Sequence, residues 1–182
     1  MSDIPPPPPA QPAYGSAEPA MVSAGPEYAS WLSRVGANLL DGLVNLAVAL
    51  PLLAPGFVVL FASADPSAFD PETGLYSGGG PSPLGIGLIV LGYLAVFVFA
   101  IWNFVIRQGR KGQTLAKTWL HIKVVREANG DVPGVGLALG RYLLQGILTA
   151  VTLYLNLLWP LWDAKNQTLH DKVCSTVVIR VP

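Results

Sequence analysis

The feature that most constrains the fold of this chain is a set of three long apolar stretches with almost no charge, at residues 42–64, 84–106 and 142–162. They are 23, 23 and 21 residues long, and a helix needs about 20 apolar residues to cross a bilayer. Charged residues make up only 12% of the 182-residue chain, against roughly 25% in a soluble domain. The stretches therefore predict an all-α membrane protein with three hydrophobic helical segments. Pro51 and Pro55 predict a kink in the first segment.

The residue inventory excludes several other classes of protein. Basic and acidic residues both number 11, whereas a nucleic-acid-binding protein carries a basic surplus. The single cysteine, Cys174, excludes an internal disulfide framework. The stretch 109–114 lacks the spacing of a phosphate loop, and no motif sets a nucleophile beside a base. We therefore expect no enzyme, no cofactor and no nucleic-acid partner.

A metal site is also not expected. His170, Asp171 and Cys174 stand close together in sequence. Such a group without a second cluster is more typical of capping and packing than of metal coordination.

The first 27 residues differ in character from the rest of the chain. They contain eight of the 17 prolines, interleaved with alanine, glycine and serine. Because such a segment cannot bury a core, it is predicted to be disordered, with polyproline II character at the run 5–9. A solvated tail is favoured over a docking motif. The chain is thus divided into a disordered proline-rich tail, 1–27, and a membrane domain, 28–182.

Charge asymmetry predicts the orientation of the membrane domain. The loop 107–141 carries seven of the 11 basic residues, with only Glu127 and Asp131 against them. The connection between the first two segments contains Asp65, Asp70 and Glu72 and no basic residue. By the positive-inside rule the basic loop and the N-terminus are cytoplasmic. The basic side chains near the end of the second segment are predicted to contact anionic lipid headgroups: Arg107, Arg110, Lys111 and Lys117.

The third apolar segment allows two topologies. The stretches 121–125 and 176–179 are rich in β-branched residues and are typical of strands. If they pair as a small cytoplasmic β-hairpin-like element, both lie on one side of the membrane, and 142–162 is re-entrant or sharply broken. If 142–162 crosses fully, the C-terminal tail lies outside.

Polar side chains follow two stripes at helical spacing. A carboxylate within an apolar segment costs several kcal/mol unless it is paired, hydrated or protonated, so Asp41 is the favoured site for binding or relaying a cation or proton. Arg141 is a candidate counter-ion for it. The amides and threonines are more simply explained as hydrogen bonds that hold helices together. The first stripe is Arg34, Asn38, Asp41 and Asn45, and the second is Arg141, Gln145, Thr149, Thr152 and Asn156.

Three blocks of the chain make it similar to the RDD family of small bacterial membrane proteins, over about residues 28–181. The family is named for one arginine and two aspartates. Arg34 and Asp41 within 33–41 resemble the arginine and the first aspartate. The loop 112–117 followed by 122–125 resembles the second block, although Ala116 stands where relatives tend to have glycine. The stretch 162–172 followed by 176–178 resembles the third, with Asp171 as the second aspartate and Asp163 as the alternative.

The resemblance implies a multi-pass protein of the bacterial plasma membrane, and the proline-rich start is similar to that of actinobacterial members. Transport has been suggested for the family, and cation–proton antiport for some members. We therefore hypothesise a transport component in which Asp41 titrates, with Arg34, Arg141 and Asp171 as partners. Because three short segments enclose little space, a homo-oligomer is expected. The alternative is a membrane-embedded scaffold that recruits partners or anionic lipids through its basic loop and proline-rich tail.

Overall fold

The computed structural model describes residues 26–63, 69–76, 81–153 and 155–182. The predicted disordered tail lies outside these residues, apart from its last two positions. The described chain is mostly helical, and its strands form two small antiparallel pairs. In chain order the elements are α1 (Trp31–Ala62), β1 (Phe69–Asp70), β2 (Leu75–Tyr76), α2 (Pro83–Ala100), a π-helical stretch (Ile101–Arg107), α3 (Gln108–Lys111), α4 (Leu115–Trp119), β3 (Ile122–Arg126), α5 (Val135–Val151), α6 (Leu155–Leu158), a 3-10 turn (Trp159–Leu161), α7 (Leu169–Val173) and β4 (Thr176–Arg180).

Among the residues that the structure describes, two helices are long and apolar enough to cross a membrane, judged by length and composition. The first is α1, whose 32 residues extend about 48 Å at 1.5 Å per residue. It is continuous through Pro51 and Pro55, so the predicted kink does not divide it. The second is Pro83–Lys111, 29 residues long, which joins α2, the π-helical stretch and α3. Most large apolar side chains on both helices are exposed, and lipid contacts them.

Small residues let these two helices pack closely. A Cβ added to Gly85 would lie 2.8 Å from the backbone nitrogen of Leu60. One added to Gly92 would lie 2.5 Å from the Leu53 side chain. Because the start of α2 meets the end of α1, the helices are antiparallel, and the N-terminal end of α1 lies beside the end of the second span.

The third apolar segment is broken. The axes of Val135–Val151 and Leu155–Leu161 differ in direction by 111°, so this segment is either a bent span or a re-entrant one. Trp31 of α1 contacts the segment after the break, where its indole Nε1 donates to the carbonyl of Leu157 at 2.8 Å.

The two predicted strands pair with each other, as β3 and β4. Their antiparallel register sets Val124 opposite Val178, and Tyr28 bridges Ile179 on the other edge of β4. Hydrogen-bonded strands cannot be separated by a bilayer, so the basic loop and the C-terminal segment share one side. The small apolar core beneath the sheet includes Ala29, Ala37, Ala116, Ile122, Val124 and Val178.

Candidate functional site

Asp41 is fully buried on α1, and its carboxylate accepts hydrogen bonds from three neutral donors. The amide of Asn103 donates to Oδ1 at 2.9 Å, and the hydroxyl of Thr114 donates to Oδ2 at 2.6 Å. The backbone N–H of Ala116 donates to Oδ1 at 3.3 Å. No ion pair among the described residues includes Asp41. The carboxylate thus joins α1, the second span and α4 without a cationic partner.

The donors of Asp41 are positioned by the local backbone. Asn103 lies in the π-helical stretch, a rare conformation that is frequent at functional sites. Its Oδ1 accepts from the backbone N–H of Leu115 at 2.9 Å. Thr114 caps the N-terminus of α4 by accepting from the N–H of Lys117. The side chains that cap α4 are therefore the ones that hold Asp41.

Asp171, also fully buried, lies between two arginines. Nη1 of Arg34 donates to Oδ2 at 2.7 Å. Arg141 donates from Nε to Oδ1 at 2.9 Å and forms a second contact through Nη2. Burial alone would raise the pKa of Asp171, but Arg141 and Arg34 hold that pKa well below its usual range. We call Arg34, Arg141 and Asp171 the arginine–aspartate triad; it ties α1, α5 and α7 together.

A capping box positions Asp171 at the start of α7. Thr168 accepts from the N–H of Asp171, and Oδ2 of Asp171 accepts from the N–H of Thr168 at 3.2 Å. The hydroxyl of Thr176 donates to Oδ1 at 3.3 Å. The Thr-x-x-acid pattern of a capping box is therefore the local sequence signal that fixes Asp171 at the start of α7.

A cavity of about 30 Å³ lies against the triad. Lys117, which lines it, is buried and donates from Nζ to Oε1 of Gln108 at 2.8 Å. Burial, followed by the charge of Arg141, lowers the pKa of Lys117 to about 7. The same two causes lower the pKa of His170 to about 3, so its imidazole is neutral at pH 7. The polar lining includes Arg34, Asn38, Lys117, Arg141, Gln145 and His170.

The structure separates the members of the two predicted stripes. Arg141 is not the counter-ion of Asp41, because α7 brings Asp171 within its reach instead. Asn45 donates to the backbone carbonyl of Asp41 at 3.1 Å and not to its carboxylate. Asn38 and Gln145 line the cavity beside the triad.

The remaining stripe residues stabilise the break in the third segment. The hydroxyl of Thr152 donates to the carbonyl of Leu148 at 2.6 Å and accepts from the N–H of Asn156 at 3.1 Å. The Asn156 amide donates to Thr149 at 3.2 Å and accepts from the N–H of Leu169 at 3.1 Å. These bonds link α5, α6 and α7.

The four basic residues predicted to contact lipid headgroups fall into two groups. Arg110 and Lys111 are exposed at the end of the second span. The prediction is wrong for Lys117, which is only 8% exposed because α4 folds back over the helix ends. Arg107 is half-buried and donates to the carbonyl of Gln113 and the hydroxyl of Thr118, both at 2.9 Å.

Asp163, the alternative second aspartate, makes contacts within its own loop. It pairs with Lys172 and accepts from the N–H groups of Lys165 at 3.1 Å and Gln167 at 2.9 Å. Of the two candidates, Asp171 is the one that contacts Arg34.

Several residues of this site are not marked by the two stripes of polar residues in the sequence. Asn103 is conspicuous in the sequence as a strongly polar side chain in an otherwise apolar segment. Thr114 and Gln108 lie in a polar loop, where nothing distinguishes them from their neighbours. Within the described ranges, no three His, Cys, Asp or Glu side chains are grouped as metal ligands.

Comparison with known proteins identifies relatives over most of the chain. The sequence model described as the RDD family matches residues 28–175. The chain is 32% identical over 160 residues to the proline-rich antigen homolog of Mycobacterium tuberculosis, covering 85% of this chain and 64% of that protein. It is 32% identical over 158 residues to the proline-rich antigen of Mycobacterium leprae, covering 85% and 61%.

A more distant relative is an uncharacterized protein of Rickettsia prowazekii, 28% identical over 93 residues, which cover 51% of this chain and 45% of that one. The chain thus spans less than two thirds of the length of each of these relatives. No solved structure matches it.

Proposed function

This chain belongs to the RDD family of membrane proteins, and from that premise we propose that it is a transport component that exchanges a cation for a proton through Asp41. The supporting observation is that the fully buried carboxylate of Asp41 contacts neutral donors only. Removal from water penalises an ionised carboxylate, and a proton or a bound cation relieves that penalty. Asp171 offers no comparable site, since two guanidinium groups already compensate its charge.

The proposed working unit is a homo-oligomer in a bacterial plasma membrane. Two or three spans enclose too little space for a pathway, so a second copy is needed to complete one. Exposed apolar side chains on α5, including Leu143, Ile147 and Val151, are available to lipid or to that copy. The basic excess of the loop 107–141 supports a cytoplasmic location for this loop and the N-terminus. The proposal assigns no catalysis to the chain.

Proton and cation flux in vesicles tests the role of Asp41. The full-length protein is reconstituted with a pH-sensitive dye inside the vesicles, and Na⁺, K⁺ and Li⁺ are added in turn. Asp41→Asn is expected to abolish cation-dependent proton movement while the protein still inserts. Asp70→Asn, which neutralises a half-buried carboxylate at the end of β1, is the matched control and retains flux. Wild-type flux in correctly inserted Asp41→Asn protein would overturn the proposal.

A scaffold that binds anionic lipid is the second candidate function, and the exposure of Arg110 and Lys111 at the end of the second span favours it. In that case phosphatidylglycerol in nanodiscs raises the unfolding temperature relative to phosphatidylcholine. The double variant Arg110→Gln, Lys111→Gln loses this difference, and Asp41→Asn retains it. An equal unfolding temperature in both lipids rejects the scaffold function.

A further inference from the structure

The arginine–aspartate triad has a net positive charge. Two guanidinium groups face one carboxylate, so one positive charge remains in a buried setting. Lys117 lines the same cavity and adds a second positive charge whenever it is protonated. A buried cation without a compensating partner is strongly unfavourable. With Lys117 protonated, the three cations outnumber the carboxylates of Asp171 and of Asp41, whose charge also acts on Lys117, and this excess favours an anion.

The Arg34 guanidinium is also incompletely hydrogen-bonded. Its side chain is only 9% exposed, and Nη1 is the nitrogen that contacts Asp171. Its Nε and Nη2 are buried and have no hydrogen-bond partner among the described residues. Arginine offers donors and no acceptor, so these nitrogens need an acceptor. Buried polar groups in native proteins nearly always have one.

The other side chains around the cavity add donors and no free carboxylate. Asn38 and Gln145 line it with amide groups, each of which offers N–H donors. The one acid in the lining is Asp171, whose two oxygens already accept from Arg34, Arg141 and neighbouring residues. The amides can turn their N–H groups toward a ligand that the unpaired nitrogens of Arg34 require to be an acceptor.

We infer that this cavity binds a small monovalent inorganic anion, of which chloride is the type, through Arg34, Lys117 and the amides of Asn38 and Gln145. Its volume of about 30 Å³ has room for one monatomic ion or one water. Water has lone pairs for the donors but leaves the positive charge uncompensated. The side chains of these four residues form no hydrogen bond with the carboxylate of Asp41, so the chloride measurement and the flux measurement succeed or fail separately.

Chloride binding to the full-length protein in detergent tests this site. Sodium chloride replaces sodium gluconate at constant ionic strength, while tryptophan fluorescence follows thermal unfolding and equilibrium dialysis measures ³⁶Cl⁻. We expect saturable ³⁶Cl⁻ binding and a chloride-dependent rise in the unfolding temperature, since a ligand that binds the folded state stabilises it. Absence of ³⁶Cl⁻ binding to the wild-type protein overturns the inference and leaves water as the occupant.

The chloride affinity of variants that keep the triad intact tests whether the anion binds in this cavity. Gln145→Leu and Lys117→Met are each expected to weaken chloride binding by about tenfold, the effect of losing one hydrogen bond to a charged group. Asn38→Leu is expected to act in the same direction. Asn45→Leu, the same substitution two turns along α1 and outside the cavity, is the matched control and keeps wild-type affinity. Equal affinity in wild type, Gln145→Leu and Lys117→Met would place any bound chloride elsewhere and overturn the assignment.

Discussion

Asp41 and Asp171 are both fully buried, yet the protein stabilises their carboxylates in opposite ways. Asp171 lies between the guanidinium groups of Arg34 and Arg141. Asp41 accepts from an amide, a hydroxyl and a backbone N–H, at distances of 2.9, 2.6 and 3.3 Å. Asp171 accepts from five donor groups, three of which belong to the two arginines, whereas all three donors to Asp41 are neutral.

The two carboxylates differ in how far their surroundings compensate the negative charge. The triad compensates Asp171 and holds its pKa well below the usual range, so changes near neutral pH leave this carboxylate ionised. The charge of Asp41 has hydrogen-bond donors but no ion-pair partner among the described residues. Asp171 accordingly serves to join helices, and Asp41 is the better candidate for exchange.

The largest expected effect on stability comes from neutralising Asp171. Asp171→Asn leaves Arg34 and Arg141 buried without a counter-ion, and breaking a buried pair costs about 3–5 kcal/mol. We expect most of the folded protein to be lost, measured as the monodisperse yield in detergent and the midpoint of thermal unfolding. Asp131→Asn, at an exposed loop position, should match wild type. A stable Asp171→Asn protein would show that the triad contributes little to the fold.

Neutralising the other carboxylate should cost less. Asp41→Asn keeps the shape of the side chain and leaves no cation unpaired, but it weakens three hydrogen bonds that favour the charged acceptor. Each bond to a charged group exceeds a neutral one by about 1 kcal/mol, but the neutral amide also avoids the cost of burying a charge. We therefore expect a net loss of about 1–2 kcal/mol in the same unfolding measurement. A loss as large as that of Asp171→Asn would mean that the two carboxylates are equally structural.

The gross fold was accessible from the sequence because it depends on local signals. The apolar runs predicted the spans, and β-branched stretches predicted β3 and β4. The pairing of the two strands, which goes with the break after Val151, was one of two topologies that the sequence left open. The capping pattern of Thr168 and Asp171 is likewise local. Such features need only neighbouring residues, so a single sequence carries them.

The partner of each charge was not accessible, because it depends on how distant elements pack. Helical spacing placed Arg141 on a stripe facing Asp41, but α7 supplies Asp171 instead. Lys117 resembled other basic loop residues, and only the fold of α4 against the helix ends buries it. Helical spacing predicts which residues share one face of a helix. It does not predict which element packs against that face and supplies the contacts.

The smallest expected effect concerns the cation that titrates near both carboxylates. Lys117 lies in the fields of Arg141 and Arg34, which lower its pKa, and of Asp41 and Asp171, which raise it. Burial outweighs all four and brings the pKa to about 7. Between this value and the unfolded pKa of 10.5, the unfolded chain binds more protons than the folded one, so stability rises with pH. From pH 7 to pH 8 the expected gain is about 1 kcal/mol.

Thermal unfolding in a series of buffers from pH 6.5 to pH 9 measures this slope. Lys117→Met removes the titrating group and should flatten the curve, whereas Lys165→Met, at an exposed position, should keep the wild-type slope. Asp41→Asn sharpens the comparison, because removing a charge that raises the pKa of Lys117 moves the rising part of the curve to lower pH. If instead the curve keeps its position in Asp41→Asn, the charge of Asp41 does not act on Lys117.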